Sequence, residues 1–175
     1  DDLHLKDLAK KYGFNFFKRQ NKLARDTTCI KQVFVDMNNK LRFHSNTFIW
    51  LFYIPLVYKN NNDFKKAIKI TEKKKLKSIC SFKEAETHPM SCWYIEENKP
   101  SQFIKNNLCR RQDFTKAYSH HHYICGFNVK SLKNLNNELI FKDTYPILLN
   151  SNTSKKLIEV DTPNELKKFK KMSKK

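Results

Sequence analysis

Glycine is almost missing from this 175-residue chain, which holds only Gly13 and Gly126. No glycine-rich loop can therefore cradle a triphosphate with backbone N–H groups, and a nucleotide handled here needs a phosphate loop from elsewhere. Arginine is scarce as well, five of the 35 basic residues, which leaves 30 lysines. No apolar run approaches the roughly 18 residues of a membrane-spanning helix. The five cysteines (Cys29, Cys80, Cys92, Cys109, Cys125) are odd in number and lack paired spacing. That usage excludes a disulfide framework and points to reduced thiols in the cytoplasm. The opening stretch "DDLHLKDLAKKYG" lacks the apolar core of a secretory signal, and it begins without Met. The expectation is a fragment or a processed product.

What is present starts with a formal charge of +18. Nucleic acid is the obvious partner for such a chain. Yet the lysines are spread over most of the sequence, as in "FKKAIKITEKKKLK" and "LKKFKKMSKK", without one block of interleaved aromatics. Lys, Asn and Ile are what AT-rich codons encode, so the charge reads as a solvated basic surface. Hydrophobic residues make up 39% and aromatics 13%, above the level of a disordered chain. The length and the lack of a Pro-, Gly- or Ser-rich linker predict one domain over residues 1–175.

Periodicity supplies the elements. Leu5, Leu8, Ala9 and Tyr12 predict a helix over 3–12, capped by Asp1 or Asp2 and closed by Gly13. "FNFF" (14–17) reads as a short strand. Asp26 or Thr27 can cap a helix that places Ile30, Val33, Phe34, Met37 and Leu41 on one face. "TFIWLFYIPLVY" (47–58) reads as a strand buried on both faces, of the kind found in parallel sheets. A helix capped by Asn62 or Asp63 follows, carrying Phe64, Ala67, Ile68 and Thr71, and then the strand "SICSF" (78–82). Alternating strands and helices predict an α/β layered domain. Residues 91–99 read as one arm of a small antiparallel excursion, and "HHHYICGFNV" (120–129) as a strand. "SLKNLNNELI" reads as a short helix, "YPILL" and "KLIEV" as strands, and the last helix runs from Pro163 towards Lys171.

Glu159 and Asp161 are two apart, so on a strand both carboxylates point the same way. Side by side they repel unless a cation or proton lies between them, and open oxygen ligands suit Mg²⁺. Thr162-Pro163-Asn164-Glu165 is a capping box with Pro at the first helical position, which accounts for Thr162 and Glu165 but for neither carboxylate before them. Arg110, Arg111 and Gln112 lie in a polar segment whose guanidinium forks match carboxylates and phosphates. His120, His121 and His122, with Cys109 and Cys125, suggest zinc, but adjacent histidines on a strand face opposite ways and no Cys-x-x-Cys or His-x-x-x-His spacing is present.

Taken together, four segments resemble the CMP-sialic acid synthetases (acylneuraminate cytidylyltransferases). "DDLHLKDLAKKYG" is similar to the helix after that family's second strand. "KRQNKLARDTT" resembles its Arg-Pro-x-x-Leu-Ala-x-Asp-Thr signature, keeping Arg19, Leu23, Ala24, Asp26 and Thr27 with Gln20 where Pro is usual. "RRQDFTKAY" resembles Arg-Gln-Asp-Leu-Pro-x-x-Tyr, keeping Arg111, Gln112, Asp113, Ala117 and Tyr118. "IEVDTPNEL" resembles the closing Ile-Asp-x-Asp-Thr-Pro-Glu-Asp-Leu motif, with Glu159 replacing one Asp. The motifs keep the family's order and cover nearly the whole chain.

The resemblance implies a Rossmann-like nucleotide-diphospho-sugar transferase fold, three-layered around a mostly parallel sheet, here lacking the first strand and phosphate loop. It implies transfer of CMP from CTP to a nine-carbon keto-acid sugar. The anomeric hydroxyl attacks the α-phosphorus and pyrophosphate leaves. Mg²⁺ would be held by Glu159 and Asp161, with Arg111 and Gln112 orienting nucleotide or sugar carboxylate. Arg19 and Asp26 would lie near the nucleotide. The third-strand motif appears as "YIPLVYK", with Tyr53 in a substrate-binding place and Lys59 where Arg is usual; His121-His122 replace an Asn-Gly. A homodimer is implied, with residues 90–110 contributing. Since the family's CTP loop is not among these residues, the chain as it stands is not expected to turn over CTP. An open sheet edge at 47–58 would make it prone to aggregate. Two rival expectations are a degenerate, non-catalytic interaction module and, less favoured by the dispersed charge, a basic nucleic-acid-binding domain.

Overall fold

The computed structural model describes residues 3–108 and 110–172, apart from the side chains of Arg111 and Met172. The expected caps Asp1 and Asp2, the thiol of Cys109 and the guanidinium of Arg111 lie outside those described residues. In chain order the elements are α1 (Leu3–Lys11), α2 (Ile30–Leu41), β1 (Phe48–Leu51), α3 (Asn61–Lys74), β2 (Ser78–Glu84), β3 (Trp93–Glu96), β4 (Lys99–Gln102), β5 (Tyr118–Asn128), β6 (Tyr145–Leu148), α4 (Ser151–Lys156) and α5 (Pro163–Met172). The chain is mixed α/β. Among the described residues a four-stranded mixed sheet runs β1-β5-β2-β6, and β3-β4 form a separate hairpin. No helix among the described residues is long and apolar enough to cross a membrane.

The residues divide into two compact units. The first comprises 1–51, 65–79 and 125–145. Its core holds Ala67, Ile79, Cys125, Phe127, Leu132, Leu135 and Leu139. α2 contributes Phe34, whose ring meets Phe127 edge-on at 5.2 Å. Lys31 ties the start of α2 to the carbonyls of Lys133 and Leu135. β1 pairs antiparallel with β5, Trp50 opposite Gly126. A Cβ on Gly126 would lie 2.7 Å from the Phe48 ring and 2.9 Å from the Trp50 ring, so glycine is what lets both rings close over the strand.

The second unit comprises 52–64, 80–124 and 146–175. An aromatic cluster fills it: Phe52 stacks on Phe64 at 4.7 Å, and Tyr123 meets Phe64 at 5.8 Å and Tyr58 at 6.1 Å. Buried Tyr123 donates its hydroxyl to Asp63 Oδ2 at 2.8 Å. Burial first, and that bond second, raise the phenol's pKa above its usual value, so it remains a donor. Ser81, also buried, donates to the His121 carbonyl at 2.5 Å and accepts from the Ile124 amide at 3.0 Å, joining β2 to β5 by a side chain.

Several expectations need correction. The apolar run 47–58 is a strand only over Phe48–Leu51, and it pairs antiparallel. Pro55 offers no N–H to a ladder. The chain instead turns, with the Leu56 amide donating to the Tyr53 carbonyl at 3.2 Å and Ile54 left 79% exposed. "FNFF" is irregular, "SLKNLNNELI" is a 3-10 turn over Val129–Asn134, and "KLIEV" keeps one isolated bridge after the unforeseen α4. α2 starts after Cys29, with no side-chain cap from Asp26 or Thr27. The amide of Asn62 donates to Asn60 Oδ1 at 2.9 Å, so Asn60 caps α3. The apolar face of α1 stands exposed at Leu5, Leu8 and Tyr12.

Candidate functional site

The segments that carry four expected site residues of the second unit, Tyr53, Lys59, Glu159 and Asp161, are drawn together by one backbone bridge. Glu159 forms an antiparallel bridge with Leu56, and the Val160 amide donates to the Pro55 carbonyl at 2.9 Å. The carboxylate segment thus runs beside the loop that carries Tyr53 and Lys59. Lys59 closes that loop from within: its ammonium donates to the Tyr53 carbonyl at 2.9 Å and the Leu56 carbonyl at 2.5 Å. It also lies 5.6 Å from the Phe52 ring centroid. Burial lowers the lysine's pKa. An ammonium has three donors, and these carbonyls engage two.

Glu159 and Asp161 are both exposed and flank Val160 in extended chain. Partial desolvation, then the charges of Glu159 and Glu165, raise the Asp161 carboxyl above its usual pKa. In so exposed a group the neighbouring charges are the chemically telling cause: two like charges are close enough to feel each other, the condition a hard dication relieves. Glu165 is committed differently. Its Oε2 accepts from the Thr162 amide at 2.8 Å, the Thr162 hydroxyl at 2.9 Å and the Asp161 amide at 3.0 Å, while its own amide donates to Thr162 Oγ1 at 3.3 Å. These bonds, the Thr162 hydroxyl foremost, hold its carboxyl below the usual range. The capping box is therefore formed, and it anchors the end of the carboxylate segment without using Glu159 or Asp161.

Beside the loop, the Tyr53 ring meets His122 edge-on at 5.9 Å. His120 and His122 share a face of β5, ring centroids 5.3 Å apart. His121 faces the other way. Burial, then Lys83, His122, His120 and Lys59, push its pKa down to about 4, so its imidazole is neutral near pH 7. Its Nδ1 is buried without a hydrogen-bond partner.

The remaining expected residues fall elsewhere. Arg111, Gln112 and Asp113 form a 3-10 turn on which Gln112 is exposed. Asp113 is held by Arg110 through a two-pronged pair, Nε to Oδ2 at 3.0 Å and Nη2 to Oδ1 at 2.9 Å. Arg19 and Asp26 belong to the first unit, Arg19 half-buried and Asp26 on an exposed turn. There Gln20, at the position where the motif has Pro, donates to Asp36 Oδ1 at 3.0 Å and tethers its segment to α2.

Sequence reasoning missed a pocket of about 350 Å³ in the second unit, lined by Glu84, Glu86, His88, Ser91, Phe114 and Lys116 among others. His88 is locked there: Nδ1 accepts from the Met90 amide at 3.2 Å, which leaves Nε2–H to donate to the Thr115 carbonyl at 2.7 Å. The one signal for it was the segment after Arg111, whose Phe114–Ala117 portion forms one wall. No protein-family model matches the chain, and no curated protein sequence matches it.

Proposed function

We propose that the chain is the body of a cytidylyltransferase of the CMP-sialic acid synthetase type, built on a Rossmann-like three-layer fold. The observation that supports this best is the pairing of Pro55–Leu56 with Glu159–Val160, which brings the loop that carries Tyr53 and Lys59 alongside the segment that carries the carboxylates. Glu159 and Asp161 fit Mg²⁺ because they are exposed oxygen donors two residues apart, and Asp161 is raised by desolvation and then by the charges of Glu159 and Glu165. The metal, when bound, neutralises charge on phosphoryl oxygens. Lys59, with one donor beyond the two carbonyls, offers a partly desolvated cation to a phosphate or sugar carboxylate. Tyr53 packs at the edge of the acceptor sugar. The resemblance assigns Arg111 and Gln112 to the nucleotide or the sugar carboxylate in this reading. The acceptor hydroxyl attacks the α-phosphorus of CTP and pyrophosphate departs. The glycine-rich loop is not among these 175 residues, so binding is expected and turnover is not.

The test is thermal melting with CTP and Mg²⁺. A ligand at one hundred times its Kd stabilises the folded state by about 2.7 kcal/mol, a readily seen rise. The rise should vanish in Glu159→Gln and Asp161→Asn. No rise at millimolar CTP and Mg²⁺ would sink the reading.

A homodimer and a cytoplasmic location belong to the same proposal. The β3–β4 hairpin turns through Glu97 and Asn98, both at positive φ, and exposes Trp93, Ile95 and neighbouring Phe103, the last two at 67%. An apolar surface of that kind suits a partner. If CTP never binds, the hairpin favours the second reading, an interaction module.

A further inference from the structure

We propose that His120 and His122 form a transition-metal site on one face of β5, taking a divalent cation of the zinc, nickel or copper class. This goes beyond the cytidylyltransferase reading and does not rest on it. An extended strand sends residues i and i+2 to the same face, and the two rings sit 5.3 Å apart, centroid to centroid. Each offers a ring nitrogen within 4.8 Å of the other's. Metal–nitrogen bonds of about 2.0–2.1 Å at a tetrahedral angle hold two ligating nitrogens roughly 3.3 Å apart, so a side-chain rotation completes the chelate.

Donor chemistry separates this site from the carboxylate pair. Imidazole nitrogens select zinc, nickel and copper, whereas carboxylate oxygens with open positions suit magnesium. The two imidazoles leave further positions to oxygen donors. The edge of Tyr53 near His122 screens part of that space.

The experiment titrates the full chain with Zn²⁺ alone, calorimetrically, in excess Mg²⁺. One Zn²⁺ should bind, and His120→Asn and His122→Asn should each weaken it at least about tenfold, the scale seen when even an outer partner of a ligand is removed. His121→Asn, on the opposite face, should leave the affinity within about twofold. Because His120 is exposed, His120→Asn is the variant safest for the fold, and undiminished binding in it overturns the proposal. Loading with Co²⁺ supplies a second readout. A d–d spectrum without thiolate charge transfer supports the histidine pair; thiolate bands assign the ion to cysteine and overturn it.

Discussion

Two clusters of large side chains in the second unit differ in burial: one centres on buried Phe64 and Tyr123 with Phe52 at its exposed rim, and the other is exposed throughout. One, Phe52, Tyr58, Phe64 and Tyr123, packs ring against ring under the loop that carries Lys59, and its buried hydroxyl is bonded to Asp63. The other, Trp93, Tyr94, Ile95 and Phe103, rides on a two-stranded hairpin and stays exposed, though Tyr94 and Phe103 touch at 5.4 Å. The difference lies in what the backbone offers. The first cluster draws on a loop, the start of α3 and a strand of the four-stranded sheet, whereas the second rides on a separate two-stranded hairpin, a unit too small to bury a face by itself. Aromatic content alone therefore predicts neither core nor interface.

The comparison can be broken from its stronger side. Tyr123→Ala should destabilise the chain by about 3–5 kcal/mol, as large aromatic deletions in cores do, with the loss read from a denaturant midpoint. Tyr123→Phe keeps the ring and removes one bond to a carboxylate, at about 1–3 kcal/mol. Thr162→Ala, which strips the cap of α5, should cost about 1 kcal/mol. Trp93→Ala should move stability by no more than about 0.5 kcal/mol, being half-exposed, yet reduce self-association in sedimentation. A Trp93→Ala chain that melts far below the parent would make the hairpin part of the core and erase the distinction.

Acid offers the smallest and most local probe. Glu165 has its folded pKa depressed by the Thr162 hydroxyl and two amides. Its contribution is present above the unfolded carboxyl value, about 4.3, and fades as pH falls through the lower folded value. Melting followed from pH 6 to pH 3 should therefore show a loss that Glu165→Gln lacks. Parallel curves for the two chains would remove the capping box from the pH response.

Where periodicity and local chemistry agree, the sequence was readable. Ser78–Glu84, the helix carrying Val33, Phe34 and Met37, and the capping box of Thr162 and Glu165 all stand close to expectation. The run 47–58 was misread because composition cannot show which apolar residues a proline-centred turn will expose, and Ile54 is the clearest case. Asn60, Cys29 and α4 escaped notice because their sequence signals are short and polar. For the candidate site, the Glu159/Asp161 alternation was legible, while the proximity of Tyr53 and Lys59 depends on one long-range bridge that no local pattern announces. The His120/His122 spacing was in plain view, hidden by the third histidine between them.

The hydrogen bond from the Val160 amide to the Pro55 carbonyl has a kinetic consequence. It belongs to an isolated antiparallel bridge between carboxylate segment and loop, with no ladder on either side. Their parting is then a local opening with its own equilibrium constant, separate from global unfolding. That constant can be followed at a single proton by hydrogen–deuterium exchange. A ligand that bridges the carboxylates and Lys59 must slow exchange at Val160 in proportion to its occupancy, while one that grips either segment alone need not.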